Sequence, residues 1–543
     1  FFCYRCLHGC NDNEKLQKHL QYCSDVQRIT MPSKKDNVLQ FVHHNHKLKI
    51  PFVIYADFEC LLQPVLGVEN NPNQSSTRKT QNHVPCGVAY KVVCCTDSRL
   101  SKPIKLYRGK NPAVWLLKQL ISEVDNIFAR LKRVTPMMKL TPQQESDHEQ
   151  AEICYICEKA FSPDNVRDNK VHDHCHLTGQ YRGAAHDQCN LKFHAPDFIP
   201  VILHNFRGYD SHIIVEAFAD SDIKSRLKLD NVIKCIPNNF EKYMSVTLGK
   251  LRFIDSLQFM AASLDELVKG CSKFDNLRHC FGDKFNLLAK KGVFPYEYLN
   301  DWSKFDETSL PDKDKFYSQL KNENITDDEY KYAQNIWKEF DCKTFGDYHD
   351  LYLKTDVLLL ADVFESFREV SYNNYGLDPC WYYSAPGLSW DSLLKFSKVR
   401  LELLTDVDMF NFIEKGIRGG ISVITKKYAE ANNKYLKEYN PNLPSKYIVY
   451  LDCNNLYGYS MAEPMPFGGF HWISVDQFLS ETEKKISDNV SYFVEVDLDY
   501  PTSLHKLHND YPFCAESMVI DYSLLSFSLC EYPPTFRCNN FRL

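Results

Sequence analysis

The chain has 543 residues, 44% hydrophobic and 13% aromatic, which is enough for several domains with ordinary cores. Its formal net charge of −6 neither requires nor excludes nucleic acid, because a basic channel can lie within an acidic surface. We find no signal peptide and no apolar run of membrane-spanning length, and so expect no membrane partner. The 21 cysteines include C-x2-C pairs near histidines, which favours zinc over disulfides and a reducing intracellular compartment. The nucleus is compatible with this pattern, and the localisation stays open.

The beginning of the chain has the ligand spacing of a zinc finger, C-x2-C-x12-H-x3-C. A cysteine knuckle is followed by a helix whose histidine and last cysteine lie one turn apart. The predicted zinc ligands in this domain, residues 1–30, are Cys3, Cys6, His19 and Cys23. The chain starts FFCYRC without Met, which indicates a fragment or an incomplete gene model. Three histidines follow in a polar connector where a solvated loop is the favoured interpretation: His43, His44 and His46.

The run PFVIYADFEC, Pro51–Cys60, predicts a buried strand that ends in two acids. Asp57 and Glu59 are two residues apart, so on a strand they point to the same face. Two carboxylates on a buried face are costly unless something neutralises them, and a divalent metal is the usual partner. The alternative is a strand end that runs into solvent, where acids are common.

Two later segments supply further carboxylates in similar settings. IPVILHNFRGYD predicts a strand followed by a polar cluster that ends at Asp210, and Tyr348–Phe367 predicts a long helix. Tyr352 and Asp356 share one face of that helix. A sheet and a facing helix would then carry four carboxylates, which suits two-metal phosphodiester hydrolysis with Tyr352 bonded to the attacking water. Residues 271–341 carry no pattern that predicts chemistry.

Three motifs of this chain resemble, in the same order, the three exonuclease motifs of family B DNA polymerases: D-x-E, N-x3-Y-D and Y-x3-D. The resemblance implies a ribonuclease-H-like 3′–5′ proofreading domain over residues 31–380. It also implies Mg²⁺ or Mn²⁺ ligation by Asp57, Glu59, Asp210 and Asp356, water positioning by Tyr352 and contact of Asn205 with a single-stranded 3′ end. Ser256 and Leu257 resemble the motif that contacts the DNA end and the terminal protein in protein-primed polymerases. A helix N-cap at Ser256 is the alternative.

An insert, residues 151–194, follows a predicted polar linker at 135–150. Its knuckles, C-x2-C and H-x2-C, predict zinc bound by Cys154, Cys157, His186 and Cys189. The segment resembles the phage recombination endonucleases of the ββα-metal (His-Me finger) type, although His186 stands where a cysteine is usual. The resemblance implies a nuclease site at Asp173, His174, His176 and Asn190, with His174 as general base. The insert either cuts DNA or is a zinc-stapled element that contacts DNA or stabilises the loop. We favour the second, because a second nuclease would endanger the template.

KYIVYLDCNNLYGYSM, Lys446–Met461, predicts an apolar strand that delivers Asp452 to a turn and a helix. It resembles motif A of family B palms, which implies that Asp452 is a catalytic metal ligand and Tyr457 the nucleotide-binding steric gate. Upstream, a short segment partly resembles the loop that joins the exonuclease and polymerase domains and contacts DNA. Its residues are Arg418, Gly419 and Gly420. The glycines let the backbone approach a phosphate, although a simple turn is the alternative.

The expected fold class is α/β (α+β multidomain), with a ribonuclease-H-like exonuclease domain with zinc inserts and an incomplete palm over residues 381–543. That last region includes an insertion resembling the terminal-protein region. The narrower resemblance is to protein-primed polymerases of Maverick/Polinton-type transposons and linear plasmids. It implies primer–template DNA, dNTP in the full-length protein and a terminal protein as partners.

We find no D-T-D hairpin and no fingers helix after Asp452. The chain is therefore expected to bind DNA and proofread without extending a primer. A stand-alone zinc-containing DNA-binding nuclease, or an inactive transposon relic, is the alternative.

Overall fold

The computed structural model describes residues 3, 10, 12–23, 30–65, 80–162, 169–227, 233–239, 242–319, 321–417, 422, 424, 426–483 and 489–508. The chain divides into two compact units: Phe41–Val399, and Phe1–Gln40 together with Arg400–Leu543. The domain boundaries predicted from sequence lie at residues 30 and 380. Within the described ranges, no helix is both long and apolar enough to cross a membrane.

The strands of the described chain are β1 (Val38–Leu39), β2 (Phe52–Pro64), β3 (Gln81–Cys94), β4 (Lys105–Arg108), β5 (Lys170–His174), β6 (Tyr181–His186), β7 (Ile199–Leu203), β8 (Ile233–Asn239), β9 (Lys242–Leu248), β10 (Leu251–Asp255) and β11 (Leu401–Glu402). The helices are α1 (Asn13–Tyr22), α2 (Pro112–Leu131), α3 (Pro142–Gln150), α4 (Asp187–Lys192), α5 (Asp210–Ala217), α6 (Ser221–Leu227), α7 (Leu264–Lys269), α8 (Asp275–Phe281), α9 (Phe285–Leu288), α10 (Asp327–Glu339), α11 (Phe345–Tyr375), α12 (Ala385–Ser397), α13 (Val407–Gly416), α14 (Leu456–Met461), α15 (Val475–Glu483) and α16 (Thr502–His505).

The larger unit is α/β and is built on a mixed seven-stranded sheet of order β4-β3-β2-β7-β10-β9-β8. β7 is parallel to both β2 and β10, and the other neighbours are antiparallel. The strands β9 and β10 form a hairpin that turns at Gly249-Lys250, with Gly249 at φ +58°. Glycine suits this left-handed conformation because it has no Cβ to clash.

The two faces of β2 bury different partners. Val53 and Tyr55 belong to a core shared with α11, whereas Phe52 and Ile54 belong to a core shared with α2. Side chains alternate along a strand, so Asp57 and Glu59 continue the face of Val53 and Tyr55. The register shift against β3 comes only after Glu59, so the alternation holds to that point.

Two sequence-based expectations in this unit were wrong in extent. The acids at 57 and 59 do not end a strand, because β2 continues to Pro64 and stays paired with β3 throughout. The predicted linker at 135–150 contains α3, which Thr141 and Gln144 close with a reciprocal capping box. Its His148 bonds the hydroxyl of Tyr181 at 2.9 Å, so α3 packs on the insert.

The insert is a two-stranded antiparallel sheet, β5 and β6, followed by the short helix α4. Its small core comprises Cys154, Ile156, Ala185 and Phe193. So small a core gives little stability on its own, and a structural metal is the usual supplement.

In the second unit, the strand predicted before Asp452 is absent. The apolar side chains ahead of it are exposed, with Tyr450 at 92% and Leu451 at 85%. An apolar strand is stable only where neighbouring strands take its backbone hydrogen bonds. No described residue range pairs with this segment apart from the single bridge between Asn432 and Lys446. The predicted helix follows as α14.

Candidate carboxylate active site and cysteine–histidine clusters

The four predicted carboxylates lie on the elements that the sequence assigned to them. Asp57 and Glu59 project from β2 towards α11, Asp210 begins α5 just after β7, and Asp356 lies in the middle of α11. Glu59, Asp210 and Asp356 are buried, and Asp57 is partly buried. Parallel pairing of β2 with β7 brings the first two motifs together, and α11 supplies the third.

These carboxylates perturb one another electrostatically. Burial, and next the Asp356 carboxylate, raise the pKa of Asp57 to about 7. Burial and the Asp57 carboxylate raise the pKa of Glu59, and the same two causes raise that of Asp210. Mutual repulsion of this kind requires the groups to share one site, and such shifts are typical of functional sites.

The segment Lys291–Tyr296 lies along the same face of α11, which the sequence did not reveal. Tyr348 donates to the Val293 carbonyl at 2.6 Å, the Tyr352 and Tyr296 hydroxyls lie 2.5 Å apart, and Lys291 forms an ion pair with Asp356. Burial by itself would lower the pKa of Lys291, but Asp356, Tyr296 and Asp57 together outweigh it, so the pKa of Lys291 is raised. The sequence signal for this segment was limited to a lysine and a tyrosine five residues apart, and no periodicity marked them as part of the site.

The donor set fits a divalent cation. Asp356 Oδ1 is buried and has no hydrogen-bond partner among the described residues, which leaves an oxygen available as a ligand. Three groups of possible metal ligands in the described residues have all their ligand atoms within 4.8 Å of one another, and the four carboxylates are not among them. Like charges repel at short range, and Lys291 holds one oxygen of Asp356 instead.

Residues predicted to contact DNA differ in their exposure. Asn205 is exposed at φ +64°, in the turn after β7. Ser256 is buried and donates to the Leu203 carbonyl at 3.1 Å, so its hydroxyl ties β10 to β7. The N-cap alternative for Ser256 is wrong by one residue, because Asp255 caps the 3₁₀ turn by accepting from the Leu257 amide. Leu257 is half-buried.

The insert brings its four predicted zinc ligands together: Cys154, Cys157, His186 and Cys189. His186 Nδ1 lies 3.3 Å from the Cys157 sulfur and 3.8 Å from the Cys189 sulfur. Its other nitrogen, Nε2, lies 3.2 Å from the Ala160 carbonyl. A proton on Nε2 would donate to that carbonyl and leave the Nδ1 lone pair facing the sulfurs, which is how ring-nitrogen partners orient metal ligands.

The first cluster is described in part. Cys3, His19 and Cys23 form a group of possible ligands, with the Cys3 and Cys23 sulfurs 3.6 Å apart. The helix α1 explains the spacing, because the Cys23 amide bonds the His19 carbonyl at its C-terminus. The fourth predicted ligand, Cys6, lies outside the described residues.

Of the nuclease residues predicted in the insert, Asp173 is held by neighbouring side chains, whereas His174 Nε2 is buried without a hydrogen-bond partner among the described residues. Asp173 is buried, and Arg182 donates to both of its oxygens at 2.7 Å while the Tyr155 hydroxyl donates to one. His174 and His176 lie with ring centroids 5.1 Å apart, and Asn190 is on α4. Asp173 therefore has no open oxygen comparable with that of Asp356.

In the second unit, Asp452 is exposed just ahead of α14. Tyr457 is on that helix and is 84% exposed. Asn455 caps the helix at φ +52° by accepting from the Gly458 amide at 3.3 Å. The remaining predicted DNA contacts, Arg418, Gly419 and Gly420, lie outside the described residues.

An α/β sheet with buried carboxylates is the kind of site that supports metal-dependent phosphodiester chemistry. A family model described as DNA polymerase type B, organellar and viral, matches residues 193–517, about three fifths of the chain. The chain therefore belongs to this family of type B DNA polymerases.

Two other similarities accompany the family match. A second family model, recombination endonuclease VII, matches residues 131–203, so the insert is endonuclease-like. A "Probable DNA polymerase" of Ascobolus immersus is 25% identical over 196 residues, which cover 35% of this chain and 14% of that relative.

Proposed function

We propose that the larger unit is a ribonuclease-H-like 3′–5′ exonuclease that proofreads for a type B DNA polymerase. The observation that carries this proposal is the placing of four carboxylates, three of them buried and Asp57 partly so, where β2, β7 and α11 meet. The raised pKa values of Asp57, Glu59 and Asp210 support it, because each is raised by a neighbouring carboxylate as well as by burial.

In this proposal Asp57, Glu59, Asp210 and Asp356 hold Mg²⁺ or Mn²⁺, which would activate the attacking water and stabilise the leaving oxygen. Lys291 offsets part of the negative charge through Asp356. Tyr352 is held by Tyr296 beside these groups and bonds the attacking water. Asn205, exposed at the edge of the site, contacts the single-stranded 3′ end.

The test is degradation of a 5′-labelled single strand with Mg²⁺ by the chain and by a variant with Asp57→Ala and Glu59→Ala. We expect the rate of degradation to fall by at least ~100-fold, because removal of a single group that stabilises a transition state commonly lowers a rate by about that factor. An Asp125→Ala variant is the control, since this acid is exposed on α2. Full activity in the double variant would refute the assignment.

For the second unit we propose the start of a palm, with Asp452 as metal ligand and Tyr457 as steric gate. Family membership supports this role, and the exposure of both residues leaves them accessible to a nucleotide. The same proposal includes primer–template DNA and dNTP as ligands, and protein priming with a terminal protein.

For the insert we propose zinc as a structural ion and a role in contacting DNA or stabilising the fold. The support is the occupation of both Asp173 oxygens by Arg182. In the background with Asp57→Ala and Glu59→Ala, the chain should not cleave a branched or nicked duplex. Cleavage that disappears on adding His174→Ala would instead establish an active second nuclease.

A further inference from the structure

Two imidazoles and a carboxylate lie together away from the sites described above. His43, His46 and Asp391 each offer a ligand atom, and these atoms lie within 4.8 Å of one another. His43 Nδ1 is 2.8 Å, and His46 Nδ1 is 3.5 Å, from the same oxygen, Asp391 Oδ2. The donor set suits Zn²⁺ and other divalent transition metals.

The spacing is compatible with one ion. Tetrahedral zinc with bonds of about 2.0–2.1 Å separates neighbouring ligand atoms by about 3.3–3.4 Å. The distances from the two Nδ1 atoms to Asp391 Oδ2 bracket that value. The two imidazole rings stack with centroids 4.8 Å apart and planes 15° apart, and both Nδ1 atoms lie near the same Asp391 oxygen.

The surroundings orient these three side chains. The Tyr382 hydroxyl donates to Asp391 Oδ2 at 2.8 Å, and His46 stacks on Trp381 with centroids 4.9 Å apart. His46 Nδ1 is buried and has no hydrogen-bond partner among the described residues. A buried nitrogen without a partner costs free energy, which a bound cation would recover. Oriented ligands of this kind are a feature of metal sites.

We propose that His43, His46 and Asp391 bind a divalent transition-metal ion, with Zn²⁺ as the first candidate and solvent completing its coordination beside half-exposed His43. The ion would join the segment before β2 to α12 across 348 residues of chain. Other hydrogen bonds join the segment before β2 to the turn ahead of α12, from the Asp378 amide to the His46 carbonyl and from the Trp381 indole to the Leu48 carbonyl. An ion that binds only the folded state would stabilise the junction of these two segments, so the site is a structural staple.

The test compares the untagged chain with His43→Gln and Asp391→Asn after equilibration with Zn²⁺ and removal of unbound metal. Elemental analysis should find one zinc fewer per chain in each variant than in wild type. His44→Gln is the matched control, because His44 is on the same turn but outside the cluster, and it should retain the wild-type content. Cys157→Ser should lose a different ion, from the insert, and keep this one.

Thermal unfolding provides the second measurement, since a ligand that binds only the folded state raises Tm. Zinc should raise the Tm of wild type and His44→Gln by several degrees more than that of His43→Gln. The half-exposed His43 side chain makes this variant tolerable to the fold even where Asp391→Asn is not. Equal zinc content in wild type and His43→Gln, or loss of the same ion in His44→Gln, would overturn the proposal.

Discussion

At the scale of single residues, the carboxylate site has a high electrostatic cost in the absence of metal. Asp57 has a pKa of about 7 because burial and Asp356 disfavour its charge, and Lys291 compensates only in part. Charge crowding of this kind is a common compromise at functional sites, where stability is lost to keep reactive groups together.

The first prediction concerns pH. A carboxyl whose folded pKa is above its unfolded value of 3.8 binds its proton more tightly when folded, so its contribution to stability falls as pH rises towards 7. Asp57→Asn removes this loss. In a chelator, the free energy of unfolding of the variant should gain roughly 2–3 kcal/mol on wild type between pH 5 and 7.

Urea unfolding at each pH measures this difference, with Asp125→Asn as the exposed control. Adding Mg²⁺ should stabilise wild type more than Asp57→Asn, because the carboxylates then have a counter-charge. A difference between wild type and Asp57→Asn that does not change with pH would show that Asp57 is not in a crowded site.

At the scale of elements, α11 organises the larger unit. Its capping box at Thr344 and Asp347 starts 31 helical residues, which carry Tyr352 and Asp356 and then continue to Arg368. There Arg368 donates to both oxygens of Asp378 and to the Ile50 carbonyl, all buried. The helix is therefore tied to the start of β2, the strand that carries Asp57.

The second prediction tests that tie. Arg368→Met leaves the buried Asp378 carboxylate without its cation, and should lower the free energy of unfolding by about 3–5 kcal/mol. Glu369→Ala, one residue along, breaks an exposed ion pair with Lys273 and should cost less than about 1 kcal/mol. Urea unfolding of both variants measures the contrast, and similar small losses would mean that the buried pair is not needed.

At the scale of the whole molecule, the chain joins three motifs that resemble those of an exonuclease to one motif that resembles motif A of a palm. The 543 residues contain Asp452, but we find no D-T-D hairpin after it. Two-metal nucleotidyl transfer with one carboxylate would leave the metals under-ligated and the triphosphate unpositioned.

The third prediction is that this chain degrades a single-stranded 3′ end without extending a primer. Incubation of a labelled primer–template with Mg²⁺ and all four dNTPs should give shortened products and none longer than the primer. The variant with Asp57→Ala and Glu59→Ala should leave the primer unchanged in length. Templated extension by the chain would contradict our interpretation of the region after Asp452.

The sequence by itself determined the features that depend on local spacing. Apolar alternation and helical periodicity predicted the strands and the long helix around Asp57, Asp210 and Asp356, because periods of 2 and 3.6 are local properties of the backbone. The spacing of Cys154, Cys157, His186 and Cys189 predicted a cluster that the fold assembles, because each short knuckle places two ligands side by side.

Only the tertiary structure decided which distant residues meet. Lys291 is 65 residues from Asp356, and His43 is 348 residues from Asp391, so no local pattern links either pair. The pairing of Arg182 with Asp173 likewise depends on how β5 and β6 align. The strand predicted before Asp452 does not form for the same physical reason. An apolar run can form a strand, but the presence of backbone hydrogen-bond partners elsewhere in space decides whether it does.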